Sequence, residues 1–477
     1  MVHLPQELLS HICSYLAIEQ PPPRIWHDEP RDPFFLSHDD DIKIGTMLSL
    51  SLANSSFHHA VKPYLYRTIK HPIKVTKLLL RSLLVPHTAQ LVQNLSTQTW
   101  TTGKEHWYEP PGPNYEPLPY ALVETAMRDK GLSDGLVEDM HRGIKQGLED
   151  ALYALLLLTC TNLRLWKTAF DRVFSHTLVA RTIREVNRTG VALQLLQEVT
   201  IGNADDEGTL DLSKVHDVLS VPSLRRIRGI AVTTDDILDY VWQVLPHRNV
   251  KDIGLDQAGV DGDSLSCLFR AYTCLETVSI ELGGPQQYLD SMEDYSGIGD
   301  SLRQYGTKLL SLGVVRQDEF DEDNTLDRTP LGNLSTLTAL RRLRISYDAL
   351  FGGETVSNER PATWLQEVLP FSLEEFDLVH VVHDEPELLD EQLKSLMADE
   401  RFSALRWIQV RRGDDDEDFP EEDILPAGWK VENMGWGFVL SKSAGGGGGE
   451  DEPIRGDGAN CESPVSQGGP EQECGGP

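Results

Sequence analysis

The side chains best suited to chemistry in this chain stand in the run His380-x-x-His383-Asp384-Glu385. Imidazole nitrogens and carboxylate oxygens are the donors a zinc site uses, but they must converge on one point. In a regular strand, positions three apart face opposite ways, so these imidazoles diverge and no metal is expected. Two acidic runs, residues 318–323 and 414–423, offer oxygen ligands of the kind calcium takes. Their adjacent carboxylates read more simply as hydrated surface. The six cysteines Cys13, Cys160, Cys267, Cys274, Cys461 and Cys474 include no Cys-x-x-Cys pair. They suggest neither a zinc site nor a disulfide framework, but reduced thiols. Gly-x-Ser-x-Gly, phosphate-loop and dinucleotide motifs are absent from the sequence. The expectation is a non-catalytic chain that uses no cofactor.

Chemistry of binding then depends on the elements that display side chains. One template recurs: an apolar residue, two others, an apolar residue, one other and a third apolar residue. It appears as Leu196-x-x-Val199-x-Ile201, Val250-x-x-Ile253-x-Leu255, Leu275-x-x-Val278-x-Ile280 and Leu309-x-x-Leu312-x-Val314. It continues as Leu340-x-x-Leu343-x-Ile345, Leu373-x-x-Phe376-x-Leu378 and Leu405-x-x-Ile408-x-Val410. Cys160-x-x-Leu163-x-Leu165 also fits, Leu224-x-x-Ile227 has Gly229 in its third slot, and Val92-x-x-Leu95 is weaker. From Leu196 onward the starts lie 25–34 residues apart. The last two apolar slots alternate as a strand with one buried face requires. A short strand and a helix-length connection every ~25–35 residues mark a solenoid whose units bury themselves by stacking. A doubly wound sheet also alternates strand and helix, but would carry a Gly-rich phosphate loop after a strand.

Alternation names the side chains left for a partner. If Leu343 and Ile345 point inward, then Arg342, Arg344 and Ser346 point outward. The same logic exposes Arg164 and Trp166, Asp252 and Asp256, Glu375 and Asp377, and Trp407 and Arg411. Trp and Arg are side chains that interfaces favour.

Composition bounds the partners. The 477 residues carry a net charge of −32, so nucleic acid and anionic membranes are not expected. No basic stretch precedes the first apolar residues, and the longest apolar run, 152–158, is far shorter than the ~20 residues that span a bilayer. A cytoplasmic or nuclear location is the expectation. Residues 443–477 hold many glycines and acids but no aromatic side chain. Such a tail has too little to bury and is expected to be disordered.

The first 16 residues include Leu4-Pro5-x-Glu7-Leu8-Leu9-x-x-Ile12-x-x-Tyr15-Leu16. Pro5 suits a first helical position, Glu7 favours the helix dipole, and Leu8, Ile12 and Leu16 form one stripe. Leu50-Ser51-Leu52, Phe57 and Pro63-x-Leu65-Tyr66 follow. Periodicity alone leaves 48–52 open between strand and helix. Together these segments resemble an F-box. Ala53-Asn54-Ser55 stands where the family usually has Val-Cys-Arg, and a Pro- and Asp-rich insertion occupies 17–43. The later segment resembles irregular leucine-rich repeats, with Gly283, Asp348, Val381 or Gly413 in the family's Asn/Cys slot.

The resemblance implies the substrate-recognition adaptor of an SCF-type ubiquitin ligase. Leu4, Pro5, Leu8, Ile12, Leu16, Leu50, Leu52 and Phe57 would bind a Skp-type adaptor, and through it cullin and RING subunits. The repeats would hold an unknown protein substrate, for which Arg164, Trp166, Arg342, Arg344, Glu375, Asp377, Trp407 and Arg411 are the candidates. The alternative is an F-box-like scaffold acting outside a ligase. The expected fold class is α/β: an all-α F-box at 1–70, a linker and first irregular repeat at 71–150, a leucine-rich-repeat-like solenoid at 151–440 and a disordered tail at 441–477.

Overall fold

The computed structural model describes residues 6–15, 38–71, 84, 86–97, 120–146, 148–170, 177–203, 208–234, 247–283, 295–316, 329–352, 364–381, 386–412, 425–434 and 437–442. Leu4, Pro5, Leu16, His383, Asp384, Glu385, both acidic runs and residues 443–477 lie outside these residues, whereas Ser441 and Lys442, expected in the tail, close a strand.

The chain is mixed α/β, with a large and mostly parallel sheet. Its thirteen strands are β1 (Thr68–His71), β2 (Asn94–Thr97), β3 (Leu165–Phe170), β4 (Glu198–Asn203), β5 (Arg226–Ile230), β6 (Asp252–Ala258), β7 (Thr277–Leu282), β8 (Ser311–Arg316), β9 (Arg342–Ser346), β10 (Glu375–Val381), β11 (Trp407–Arg412), β12 (Trp429–Met434) and β13 (Gly437–Lys442). Strands β1 to β11 lie in chain order and run parallel, and β13 then joins β11 antiparallel with β12 at the edge. This order never reverses. A doubly wound sheet reverses once and places its ligand crevice at that point.

One apolar row crosses the sheet in unbroken register. Ile69 stands opposite Leu95, Leu95 opposite Trp166, Trp166 opposite Val199 and Val199 opposite Ile227. The row continues through Ile253, Val278, Leu312, Leu343 and Phe376 to Ile408 and Leu440. Every member is buried. A second row, including Ile201, Leu255, Ile280, Val314, Ile345, Leu378 and Val410, follows two residues later on the same face. Both rows belong to a single core.

Register corrects one unit of the sequence reading. Trp166, not Leu163, occupies the place of Leu343, so the template begins at Leu163 rather than Cys160. The offset is three residues, and an odd slip exchanges the two faces of a strand. The sheet also begins earlier than the template: β1 starts at Thr68, inside the expected F-box, and β2 carries Leu95 of the weak Val92-x-x-Leu95 match, in the stretch expected to hold a linker and first irregular repeat. The other strands of the template, including the irregular unit at Leu224, stand where the pattern put them.

Helices cover the apolar face. In α6 (Glu149–Thr159) every residue from Ala151 to Leu158 is buried, as its apolar circumference requires. The preceding helices are α4 (Tyr120–Arg128) and α5 (Asp134–Gln146). Then come α7 (Leu178–Thr189), α8 (Gly262–Ala271), α9 (Tyr295–Tyr305) and α10 (Pro386–Ala398). Asp150 accepts from the backbone N–H groups of Leu178 and Val179, tying α7 to α6. Its carboxyl is raised by burial, opposed by these bonds.

Successive units meet closely where α8 and α9 pack. A Cβ added at Gly262 would overlap the Gly297 carbonyl carbon, inside any allowed contact. Gly262→Ala should therefore cost about 1–3 kcal/mol and lower the melting temperature by several degrees. Gly135→Ala in α5, which opens into free space, should leave it unchanged or slightly raised. Equal melting temperatures for the two variants would show that the helices separate without cost.

The N-terminal elements α1 (Gln6–Tyr15), α2 (His38–Ala53) and α3 (Ser55–Leu65) have a small core of their own: Leu9, Cys13, Met47, Ala60 and Val61. Residues 48–52 are helical, and α2 begins at His38, so the insertion ends before 43. Asn54 separates α2 from α3 by accepting from the Phe57 N–H at 2.9 Å, an N-cap.

Candidate functional site

The face opposite the core is polar, and the sheet registers its side chains into rows. One row carries Glu198, Arg226, Asp252, Thr277, Ser311, Arg342, Glu375 and Trp407 on successive strands β4 to β11. Two residues on, a second row carries Thr200, Arg228, Gly254, Ser279, Gly313, Arg344, Asp377 and Gln409. Small residues thus fill the middle of the face, on β7 and β8, and charges gather on either side.

The first cluster spans β4 to β6. Arg226 binds Glu198 at 2.8 Å and Asp252 at 2.8 Å, and Arg228 reaches Asp252 at 3.3 Å. Lys167, on the neighbouring β3, is lowered by burial, opposed by the attraction of Glu198. Asp256 is raised by burial, partly offset by Arg228. A groove of about 380 Å³ opens here, lined by Arg226, Arg228, Asp252, Thr277 and Ser279 and by Gln197, Arg225, Lys251 and Glu276 at the strand starts.

The second cluster spans β9 to β11 and assembles most of the expected substrate residues. Asp377 is only 3% exposed and lies between two guanidiniums, Arg344 at 3.5 Å and Arg411 at 3.2 Å. Burial pushes its carboxyl up to about 7, with Arg344 opposing. Burial lowers the Arg411 guanidinium to about 10. With its amide oxygen turned to that guanidinium, Gln409 accepts from Arg411 Nε at 2.8 Å. Arg342, Glu375 and Trp407 form the adjacent row, partly exposed.

Two candidates stand apart from this group. Arg164 is exposed at the start of β3, far along the sheet. Trp166 is fully buried in the core row, against the expectation that it faces outward. Its indole N–H lies 3.4 Å from the Thr97 hydroxyl, and its ring meets Phe170 edge-on at 5.9 Å. It packs the sheet from the core side and does not reach the open face.

On the N-terminal helices, Leu8 and Leu48 are each 45% exposed and Leu52 is 86% exposed. Leu50 and Phe57 pack partly against the small core, and Ile12 lies on α1. Leu48 is not among the residues that the F-box resemblance implies, because that pattern names Leu50 and Leu52 in this helix.

Burial raises the Cys160 thiol to about 12, far from the thiolate that attacks. Among the described residues, no three His, Cys, Asp or Glu side chains converge as metal ligands would. His380 sits at a bulge of β10 with φ 56°, where the register shifts between Leu378 and Val381. Gln257 repeats this geometry in β6, with φ 52°. The regular alternation used to separate His380 from His383 therefore does not hold at this point. Compared with known proteins, the chain matches no family model and no curated protein.

Proposed function

We propose that this chain is the substrate-recognition adaptor of an SCF-type ubiquitin ligase. In this reading α1 to α3 are an F-box that docks on a Skp-type adaptor, and the sheet with its helices is a leucine-rich-repeat-like solenoid. The open face of that solenoid holds a target protein by matched charges around Arg344, Asp377 and Arg411, with Arg342, Glu375 and Trp407 beside them.

One observation carries the reading. Three N-terminal helices form a separate core yet leave Leu8, Leu48 and Leu52 in solvent. Exposed Leu side chains scattered singly need no partner, but several on one small helical unit are what a docking surface supplies. The polar face of the sheet supports the second half, since partners of repeat proteins seat on such extended surfaces.

Affinity purification of the full chain from cells, with proteasome action blocked, tests the proposal. Co-elution of a Skp-type adaptor together with cullin is the expected result. Adaptor without cullin would favour the scaffold alternative. Absence of both would remove the ligase reading.

A further inference from the structure

A third row of side chains lies one residue before the first polar row, at the rim where the strands begin. Its members are tied to one another by backbone hydrogen bonds. The Gln93 N–H donates to the Arg67 carbonyl, Arg164 to Gln93, Gln197 to Arg164, Arg225 to Gln197 and Lys251 to Arg225, at 2.7–2.9 Å. Over its first six strands the rim thus reads Arg, Gln, Arg, Gln, Arg, Lys, in a chain whose net charge is −32, before it continues through Glu276, Leu310, Arg341, Glu374 and Arg406. Arg67, Arg164 and Arg225 are exposed and make no ion pair among the described residues. Lys251, by contrast, is held by Glu276 at 2.6 Å. Gln197 and Arg225 also line the groove, so the rim opens onto the polar face.

We propose that this ladder is a docking strip for an acidic, extended segment of a partner protein, with a carboxylate on every third residue. Spacing argues for that periodicity. Adjacent strands lie about 4.8 Å apart, so the three arginines, on alternate rungs, stand about 9.6 Å from one another. A polyproline II segment rises about 3.1 Å per residue with three residues per turn, returning to the same face every ~9.3 Å. A segment lying across the strands would thus set one carboxylate against each arginine. Its backbone carbonyls, which have no partner within such a helix, would meet the Gln93 and Gln197 amides in between.

Charge density favours a carboxylate peptide over nucleic acid. A duplex carries one charge per ~1.7 Å, and three guanidiniums over about 19 Å neutralise a small part of it. The remainder would face an acidic chain. A segment with three or four carboxylates leaves no such excess. Binding here does not require adaptor docking, so it is independent of the ligase assignment.

The test is fluorescence anisotropy with the full chain and a labelled peptide of four Glu-Pro-Ala repeats. Three comparison probes are a peptide of equal composition with its glutamates clustered, a Lys-for-Glu peptide and a single-stranded oligonucleotide of matched charge. The Glu-Pro-Ala peptide should bind best. Arg164→Glu with Arg225→Glu should weaken it about tenfold or more, and Arg164→Gln with Arg225→Gln by a smaller factor. Arg188→Glu, exposed on α7, should change nothing. Equal affinity for the clustered peptide, unchanged affinity in both double variants with unaltered melting temperatures, or tighter ladder-dependent binding of the oligonucleotide would each overturn the proposal. Loss of Skp and cullin co-elution would leave it standing.

Discussion

Leu8→Ala combined with Leu52→Ala should weaken capture of a Skp-type adaptor about 1000-fold while the melting temperature stays put. Truncating a buried anchor at the centre of an interface costs ~2 kcal/mol or more, and two roughly additive anchors give ~4 kcal/mol, or three decades in Kd. The fold should not register the change, because Leu8 is 45% exposed and Leu52 86% exposed. Leu9→Ala provides the contrast. Leu9 is 2% exposed in the small N-terminal core, so its truncation should cost about 2–5 kcal/mol of local stability. Binding lost by the exposed pair without loss of stability identifies an interface. Unchanged pulldown by the folded double variant would sink the F-box assignment and leave α1 to α3 as an ordinary helical cap.

Most strands were legible because each carries two apolar slots on one face and polar or small residues on the other. Leu340-x-x-Leu343-x-Ile345 became β9, with Arg342 and Arg344 outward. The pattern cannot fix β3 for a physical reason: Leu165, Trp166, Ala169 and Phe170 are all buried, so both faces are apolar and alternation cannot choose between registers. Residues 48–52 posed a different ambiguity, since alternating Leu and Ser suits a strand. There the Ser49 hydroxyl donates to the Gly45 carbonyl at 2.9 Å and Ser51 to Leu48 at 2.8 Å, bonds available only within a helical turn. The Arg/Gln rim was hidden for a third reason. Its residues directly follow the opening apolar residue of each template, but what joins them is a hydrogen bond to the preceding unit, tens of residues away. Asp377 was named as outward-facing, yet its near-complete burial between two guanidiniums depends on β9 and β11 together.

That burial makes Asp377, among the described carboxyl groups, the one whose replacement should most change the response to pH between 4 and 8. An Asp in an unfolded chain has a pKa of about 3.9, whereas burial pushes Asp377 up to about 7 in the folded state. Between those values the native state binds one more proton than the unfolded state, so stability must fall as pH rises. The contribution is complete below about pH 4 and is lost as pH climbs through about 7. A shift of about three units corresponds to something on the order of 4 kcal/mol across the window. Asp377→Asn keeps the shape and removes the titration, so its stability should lack this share of the decline. Urea unfolding of both proteins at intervals from pH 4 to pH 8 measures the difference, and the subtraction cancels the repulsion among the many other acids. The same titration alters the open face. Below about pH 7 the carboxyl is neutral and Asp377 offsets neither Arg344 nor Arg411, while above it its charge offsets one of the two. An acidic segment reaching this part of the face should therefore bind more tightly at pH 6 than at pH 8 in the native chain, and with a flatter dependence in Asp377→Asn. Parallel stability curves for the two proteins would mean that the guanidiniums hold Asp377 ionised throughout, and the cluster would then be a fixed salt bridge of constant charge.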